Sequence, residues 1–87
     1  MTIAELRNIS AHNTEIFIKS FEENSPKLKV NNYLMGNDSF RTIAISKIKA
    51  VSENVIYVYV DMPIVVLNAW IKYSDEYMPE KYMWKEW

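Results

Sequence analysis

The stretch between Pro63 and Pro79 constrains the fold most, because it predicts a helix with a wide apolar face. Proline is accepted in the first turn of a helix and cannot continue one, so the two prolines bound this helix. Asp61 or Met62 would cap it. Helical spacing places Val66, Leu67, Trp70, Ile71, Tyr73, Tyr77 and Met78 on one face and Asn68, Lys72, Asp75 and Glu76 on the other. Such a helix must bury its apolar face against a partner of similar size.

A β-sheet is the partner that the remaining sequence predicts. Val55–Val60 reads VIYVYV and is β-branched or aromatic throughout, which is typical of a strand. Because it is apolar on both faces, we expect it to be central and covered, or half covered with Tyr57 and Tyr59 at a surface. Alternating apolar and polar residues predict three further strands, within 14–21, 27–35 and 40–51.

The chain begins with a capping-box pattern, Thr2 followed by Glu5, which predicts a short helix over residues 3–9. Short polar connections between the strands favour an antiparallel meander. We therefore expect an α+β fold, a two-layer sandwich of a four-stranded, mainly antiparallel sheet with one long C-terminal helix and a short N-terminal helix. Residues 1–87 form a single domain in this prediction, and residues 79–87 form an aromatic C-terminal tail.

The composition argues against catalysis. The chain has no cysteine, one glycine (Gly36) and one histidine (His12), so neither thiolate metal sites nor glycine-rich phosphate loops can be built. His12 is interpreted as a solvated turn residue, and the pairs Glu22–Glu23 and Asp75–Glu76 as solvated carboxylates. We expect a non-enzymatic protein with no cofactor, no metal and no small-molecule substrate.

The bulk charge and hydropathy do not indicate a membrane or a polyanion as partner. The net charge is −1, so no overall field attracts anionic surfaces. No apolar run approaches the roughly 20 residues that span a bilayer, and the first residues lack the apolar core of a signal peptide. The sequence predicts a soluble, cytoplasmic protein.

The aromatic carboxyl end is the strongest sign of a binding surface, because tryptophan and tyrosine are enriched in binding hot spots. The predicted partner-binding residues are Tyr77, Tyr82, Trp84, Trp87, Asp75, Glu76, Glu80 and Glu86. Alternatively, the tail folds over the seam between helix and sheet and completes the core. We expect Trp70 and Tyr73, which lie earlier in the helix, to belong to the core.

The opening residues 1–6, followed by a turn and the strand 15–18, resemble short uncharacterised proteins of phages and mobile elements. The hairpin within 45–60 adds to this resemblance, which covers under half of the chain. It implies a protein of a bacterial host's cytoplasm that binds a host protein or protein–nucleic-acid complex, as inhibitors of bacterial defence such as anti-CRISPR proteins do.

Three functional hypotheses follow. The first is a protein-binding module that inhibits a host complex by steric occlusion, with the aromatic tail as its anchor. The second is a nucleic-acid-binding accessory protein that uses a lysine-bearing sheet face, with Tyr33 and Phe40 as stacking rings. Its predicted contacts are Lys27, Lys29, Arg41, Lys47 and Lys49. The third is a structural phage component that forms a homodimer or larger homo-oligomer.

Overall fold

The computed structural model describes residues 1–77 as an α+β fold with one four-stranded sheet. The predicted tail, residues 79–87, lies outside the described residues. The elements in chain order are α1 (Ile3–Ile9), β1 (Glu15–Ser20), β2 (Lys27–Lys29), α2 (Asn32–Met35), α3 (Asp38–Arg41), β3 (Ile45–Ser52), β4 (Val55–Val60) and α4 (Ile64–Tyr77). The strand order across the sheet is β2-β1-β4-β3, so β4 is central, as predicted from its composition.

The sheet is mixed, and the prediction of a mainly antiparallel meander is wrong. Strands β1 and β4 pair in parallel, from Glu15 opposite Val55 to Ser20 opposite Val60, whereas β1–β2 and β3–β4 are antiparallel. The chain leaves β2 at one edge of the sheet, forms α2 and α3, and enters β3 at the other edge. Because the chain crosses from one edge to the other, β1 and β4, the two strands with the most buried side chains, lie at the centre of the sheet.

Two short helices replace parts of the strands that alternation predicted. The side chain of Asn31 accepts a hydrogen bond from the Leu34 amide at 2.8 Å, and that of Asn37 accepts one from the Phe40 amide at 3.2 Å. Each asparagine therefore caps the helix that follows it. As a result, the strand predicted within 27–35 ends at Lys29, and the strand predicted within 40–51 begins only at Ile45.

The N-terminal helix forms as its capping box predicts. The Thr2 hydroxyl accepts from the Glu5 amide at 3.3 Å, and the Thr2 amide donates to the Glu5 carboxylate at 2.9 Å. The hydrogen bond from the Thr2 backbone, followed by that from its hydroxyl, lowers the pKa of Glu5 below its ordinary value of 4.5.

All the helices pack on one face of the sheet. The buried residues of the strands and of the four helices form one cluster: Ile16, Ile18, Leu28, Val58 and Val60 from the strands, and Ile3, Leu6, Leu34, Phe40 and Leu67 from the helices. Trp70 and Tyr73 of α4 are partly buried against this cluster, as predicted, and the Trp70 ring lies 5.3 Å from that of Phe40. The opposite face of the sheet is therefore covered by none of these helices.

Helix α4 is fixed at both ends by hydrogen bonds from distant parts of the chain. The buried Ser20 hydroxyl donates to the Met62 carbonyl at 2.6 Å, and the Glu22 carboxylate accepts from the Ile64 amide at 2.6 Å. Near the other end, the Asn31 amide group donates to the buried Ser74 hydroxyl at 3.1 Å. The first amide of α4 is thus capped by Glu22 rather than by the predicted Asp61 or Met62.

Candidate nucleic-acid interface

The uncovered face of the sheet, called here the open sheet face, combines aromatic rings with lysines. Strand alternation determines which residues belong to this face, because the residues between the buried ones point away from the helices. Its charged and aromatic members are Glu15, Phe17 and Lys19 of β1, Lys27 and Lys29 of β2, Lys47 and Lys49 of β3, and Tyr57 and Tyr59 of β4.

Strand register arranges eight of these residues in two rows across the sheet. The first row is Lys29, Phe17, Tyr57 and Lys49, and the second is Lys27, Lys19, Tyr59 and Lys47. Directly opposed residues on neighbouring strands share a face and lie in contact range. Each row thus ends in a lysine on both edges of the sheet, about 14 Å apart for four strands at a spacing of about 4.8 Å.

The rings at the centre lie close to three lysine ammonium groups, and two of the rings contact each other. Phe17 and Tyr57 meet edge to face, with their centroids 5.9 Å apart. The Lys27 ammonium lies 4.7 Å from the Phe17 centroid and 3.4 Å from the Tyr57 hydroxyl. Lys19 lies 5.5 Å from the Tyr57 centroid and Lys47 lies 5.6 Å from that of Tyr59. These are cation–π distances, so the rings hold the positive groups above the sheet.

The open sheet face is strongly basic although the whole chain is slightly acidic. It carries five lysines and one carboxylate, that of Glu15, which pairs with Lys29 at 3.2 Å. Both partners of this ion pair are exposed enough for the pair itself to stabilise the fold little. Lys19 and Lys27 lie directly opposite each other on adjacent strands, and like charges in that position destabilise a sheet.

The structure brings together four of the five basic residues that the sequence predicted for nucleic acid. Lys27, Lys29, Lys47 and Lys49 all belong to the open sheet face. Arg41 does not, because it lies on α3, which packs on the other face, and pairs there with Asp38.

Neither of the two rings that the sequence suggested for stacking lies on the open sheet face. Phe40 is fully buried, and Tyr33 stacks on Tyr73 with centroids 5.4 Å apart, on the helical side. The rings of the open sheet face are Phe17, Tyr57 and Tyr59, and the prediction missed these rings and Lys19. The sequence did contain a signal for these residues. Phe17 and Lys19 alternate with the apolar Ile16 and Ile18, which places them on the opposite face of β1. One of the two predictions for β4 also placed Tyr57 and Tyr59 at a surface.

A polar cleft, called here the end cleft, adjoins the open sheet face where β1 begins and β2 ends. It has a volume of about 580 Å³ and shares Glu15 and Lys29 with that face. The rest of its lining comes from the loop before β1 and the segment after β2: His12, Asn13 and Thr14, and Val30, Asn31, Asn32 and Tyr33, together with Arg7 of α1.

Most of the predicted partner-binding residues lie outside the described part of the chain. These are Tyr82, Trp84, Trp87, Glu80 and Glu86, and the side chain of Tyr77. Asp75 and Glu76 are exposed near the end of α4. The predicted protein-binding site therefore stays a prediction.

Two other site types have no counterpart among residues 1–77. No group of three or more His, Asp or Glu side chains gathers there closely enough to hold a metal ion. No helix in the same range has both the length and the apolar composition needed to cross a membrane.

Comparison with known proteins adds no family assignment. The chain matches no protein-family model, no curated protein and no solved structure.

Proposed function

We propose that the protein binds single-stranded nucleic acid on the open sheet face. The observation that carries this proposal is the pair of cross-strand rows, in which Phe17, Tyr57 and Tyr59 lie between lysines on both edges of an uncovered sheet. Single-stranded nucleic acids are bound by this combination of aromatic rings, on which bases stack, and positive groups that neutralise the backbone.

Each part of the ligand has a counterpart on the open sheet face. Exposed bases stack on the central rings, and four-stranded sheets with such rings stack two or three bases of RNA in other proteins. The phosphates then lie toward the edges, within reach of the flexible side chains of the β2 and β3 lysines. In the free protein Lys27 covers Phe17 at 4.7 Å, and a base takes its place while the ammonium group moves to a phosphate.

The rings favour a single strand over a duplex and over an acidic protein. A duplex keeps the faces of its bases inside the stack, where Tyr57 and Tyr59 cannot reach them. An acidic peptide would satisfy the lysines but would leave the central rings without a flat partner. Protection of sheet edges explains lysines on β2 and β3, but not Lys19 and the rings on the central strands.

The test is fluorescence anisotropy with labelled 12-nucleotide oligothymidylate and oligouridylate at low salt. The wild-type protein should bind both at micromolar concentration or tighter, and the double variant Lys47→Glu/Lys49→Glu should lose at least tenfold in affinity. The matched control is Lys72→Glu, because Lys72 is exposed on α4, on the helical side. It changes the total charge in the same direction and should leave affinity within about twofold.

Two outcomes would overturn the proposal. One is no binding of either oligonucleotide by folded wild-type protein at 100 µM or below. The other is a loss in Lys72→Glu that reaches half of the loss in the β3 double variant on a logarithmic scale. The control carries half of the charge change, so that result would mean a diffuse charge effect with no role for the face. The ratio of the two wild-type affinities reports the combined effect of the ribose 2′-hydroxyl and the thymine methyl group, because the two probes differ in both.

A further inference from the structure

The end cleft extends the open sheet face by one position. Glu15, which lines the cleft, lies two residues before Phe17 on the same face of β1, a separation of about 6.6 Å along a strand. Lys29 also lines the cleft and is directly opposite Phe17 in the first row. A nucleic-acid strand that stacks a base on Phe17 and runs along β1 toward Glu15 therefore has its next nucleotide at the mouth of the cleft.

The walls of the cleft are held in place by hydrogen bonds that do not involve a ligand. The Arg7 guanidinium donates to the Thr14 carbonyl at 2.8 Å and also to the Ala11 carbonyl, which ties the loop before β1 to α1. On the other side, Asn31 uses its oxygen to cap α2 and its nitrogen to bind Ser74. Because these groups are already engaged, the cleft exists before any ligand enters.

The side chains that remain for a ligand are polar and include both hydrogen-bond donors and acceptors. The side chains of His12, Asn13 and Asn32 line the cleft, are exposed, and are engaged with no other described residue. Of the charged groups nearby, Glu15 forms an ion pair with Lys29, and the Arg7 guanidinium donates hydrogen bonds to backbone carbonyls. A cleft of this kind suits a polar, uncharged and flat group better than a phosphate.

We propose that the end cleft receives one nucleobase, turned out of the stack, and that Asn13, Asn32 and His12 bind its edge. The inference depends on the proposed function and adds base selectivity at a single position to it. Adenine is the expected base, because the carboxamide of asparagine can accept from its amino group and donate to its ring nitrogen at the same time. The volume of about 580 Å³ accommodates one such base with its sugar.

A positional scan tests the proposal. Each probe is a labelled oligothymidylate of eight nucleotides with a single adenine, moved one position at a time, and each is measured against the all-thymidine probe. We expect adenine at one position near an end of the bound segment to tighten binding by about fivefold or more, as one bidentate contact would. Cytosine and guanine at that position should not.

Variants of the cleft separate base recognition from general binding. Asn32→Ala and Asn13→Ala should each remove most of the adenine preference and leave the affinity for the all-thymidine probe within about twofold. Asn68→Ala, an exposed asparagine of α4, is the control and should retain the preference. Thermal melting of each variant shows whether it is folded.

The possible failures are distinguishable. Binding of every probe with the same affinity, abolished by Tyr57→Ala, would overturn the cleft proposal and leave the open sheet face as the binding surface. An adenine preference that survives in both cleft variants would also overturn it. Binding of no probe at all would overturn the proposed function and this inference with it.

Discussion

Tyr57 occupies the central position of the open sheet face, in contact with Phe17 and within cation–π distance of Lys19 and Lys27. Its ring is only half buried, so most of its role is expected to lie in ligand contact rather than in the core. Stacking of a base on an aromatic side chain contributes about 1–3 kcal/mol as judged by alanine substitution. At the scale of one residue, Tyr57 is therefore the most informative position for the proposed function.

We expect Tyr57→Ala to weaken binding of single-stranded oligonucleotides about 5- to 150-fold, the equivalent of about 1–3 kcal/mol. Tyr57→Phe keeps the ring and removes the hydroxyl that Lys27 contacts at 3.4 Å, so its affinity should stay within about twofold of wild type. Fluorescence anisotropy measures both. Equal losses in the two variants would show that the hydroxyl rather than the ring carries the contact, which contradicts a stacking role.

Glu5 provides a residue-scale prediction about stability. The Thr2 amide and hydroxyl lower the pKa of Glu5 in the folded protein, so the unfolded chain binds a proton at higher pH than the folded chain does. Its contribution to stability is therefore complete above the ordinary pKa of 4.5 and is lost as the pH falls through the lowered value. Replacement with glutamine removes this contribution at neutral pH.

Thermal melting followed by circular dichroism between pH 7 and pH 3 measures the effect. The melting temperature of Glu5→Gln should lie below that of wild type at pH 7, and the gap should narrow as the pH falls below 4.5. Glu53→Gln, at an exposed turn position, is the control and should follow the wild-type curve. A gap that stays constant across this range would contradict the charge-dependent cap.

At the scale of elements, local patterns predicted the segments whose stability is local. The capping box of Thr2 and Glu5 predicted α1, and the β-branched composition of Val55–Val60 predicted β4. Alternation failed between residues 30 and 42, because Asn31 and Asn37 cap short helices there and apolar residues serve the core equally well in a strand or a helical turn.

The pairing of β1 with β4 was not predictable from the sequence, because an antiparallel meander would have buried the same alternating side chains. The same limit applies to the candidate site. Lysines at alternate positions of β2 and β3 were identified from the sequence, yet only the register places Phe17 and Tyr57 between them. Contacts that join distant parts of the chain leave no local signal.

The cap on α4 is one of these contacts, because it joins two elements that are far apart in the sequence. The Glu22 carboxylate accepts from the Ile64 amide at 2.6 Å, where the positive end of the helix dipole also favours an anion. Loss of a capping side chain costs about 0.5–2 kcal/mol. We expect Glu22→Ala to destabilise the protein by about 1 kcal/mol, and Glu22→Gln, which keeps an acceptor oxygen, by less.

Chemical denaturation of these variants measures the free energy of unfolding, with Glu23→Ala as the control. Glu23 is the neighbouring exposed carboxylate and has no such contact among the described residues, so its removal should change the free energy little. If Glu22→Ala and Glu23→Ala proved equally stable, the Ile64 amide would have another partner in solution. That result would remove Glu22 as the cap.

At the scale of the whole molecule, the charges are unevenly distributed. Half of the ten basic residues of the chain lie on the open sheet face, and the net charge of the chain is −1. Glu15 is the one carboxylate at a strand position of that face within residues 1–77. The net charge thus conceals a basic face, and it should keep non-specific attraction to polyanions weak away from that face.

This distribution predicts a salt dependence larger than the net charge suggests. Each phosphate neutralised on a single strand contributes about −0.7 to the slope of log K against log salt, so four or five lysine contacts give a slope of about −3. Binding isotherms between 25 and 300 mM NaCl measure it. Lys27→Gln and Lys49→Gln should each make the slope shallower by about 0.7, because each removes one contact. Lys72→Gln, on the helical side, changes the net charge by the same amount and should leave the slope unchanged. A wild-type slope near zero would mean that the lysines of the open sheet face stay solvated in the complex, and the rings alone would then have to account for binding.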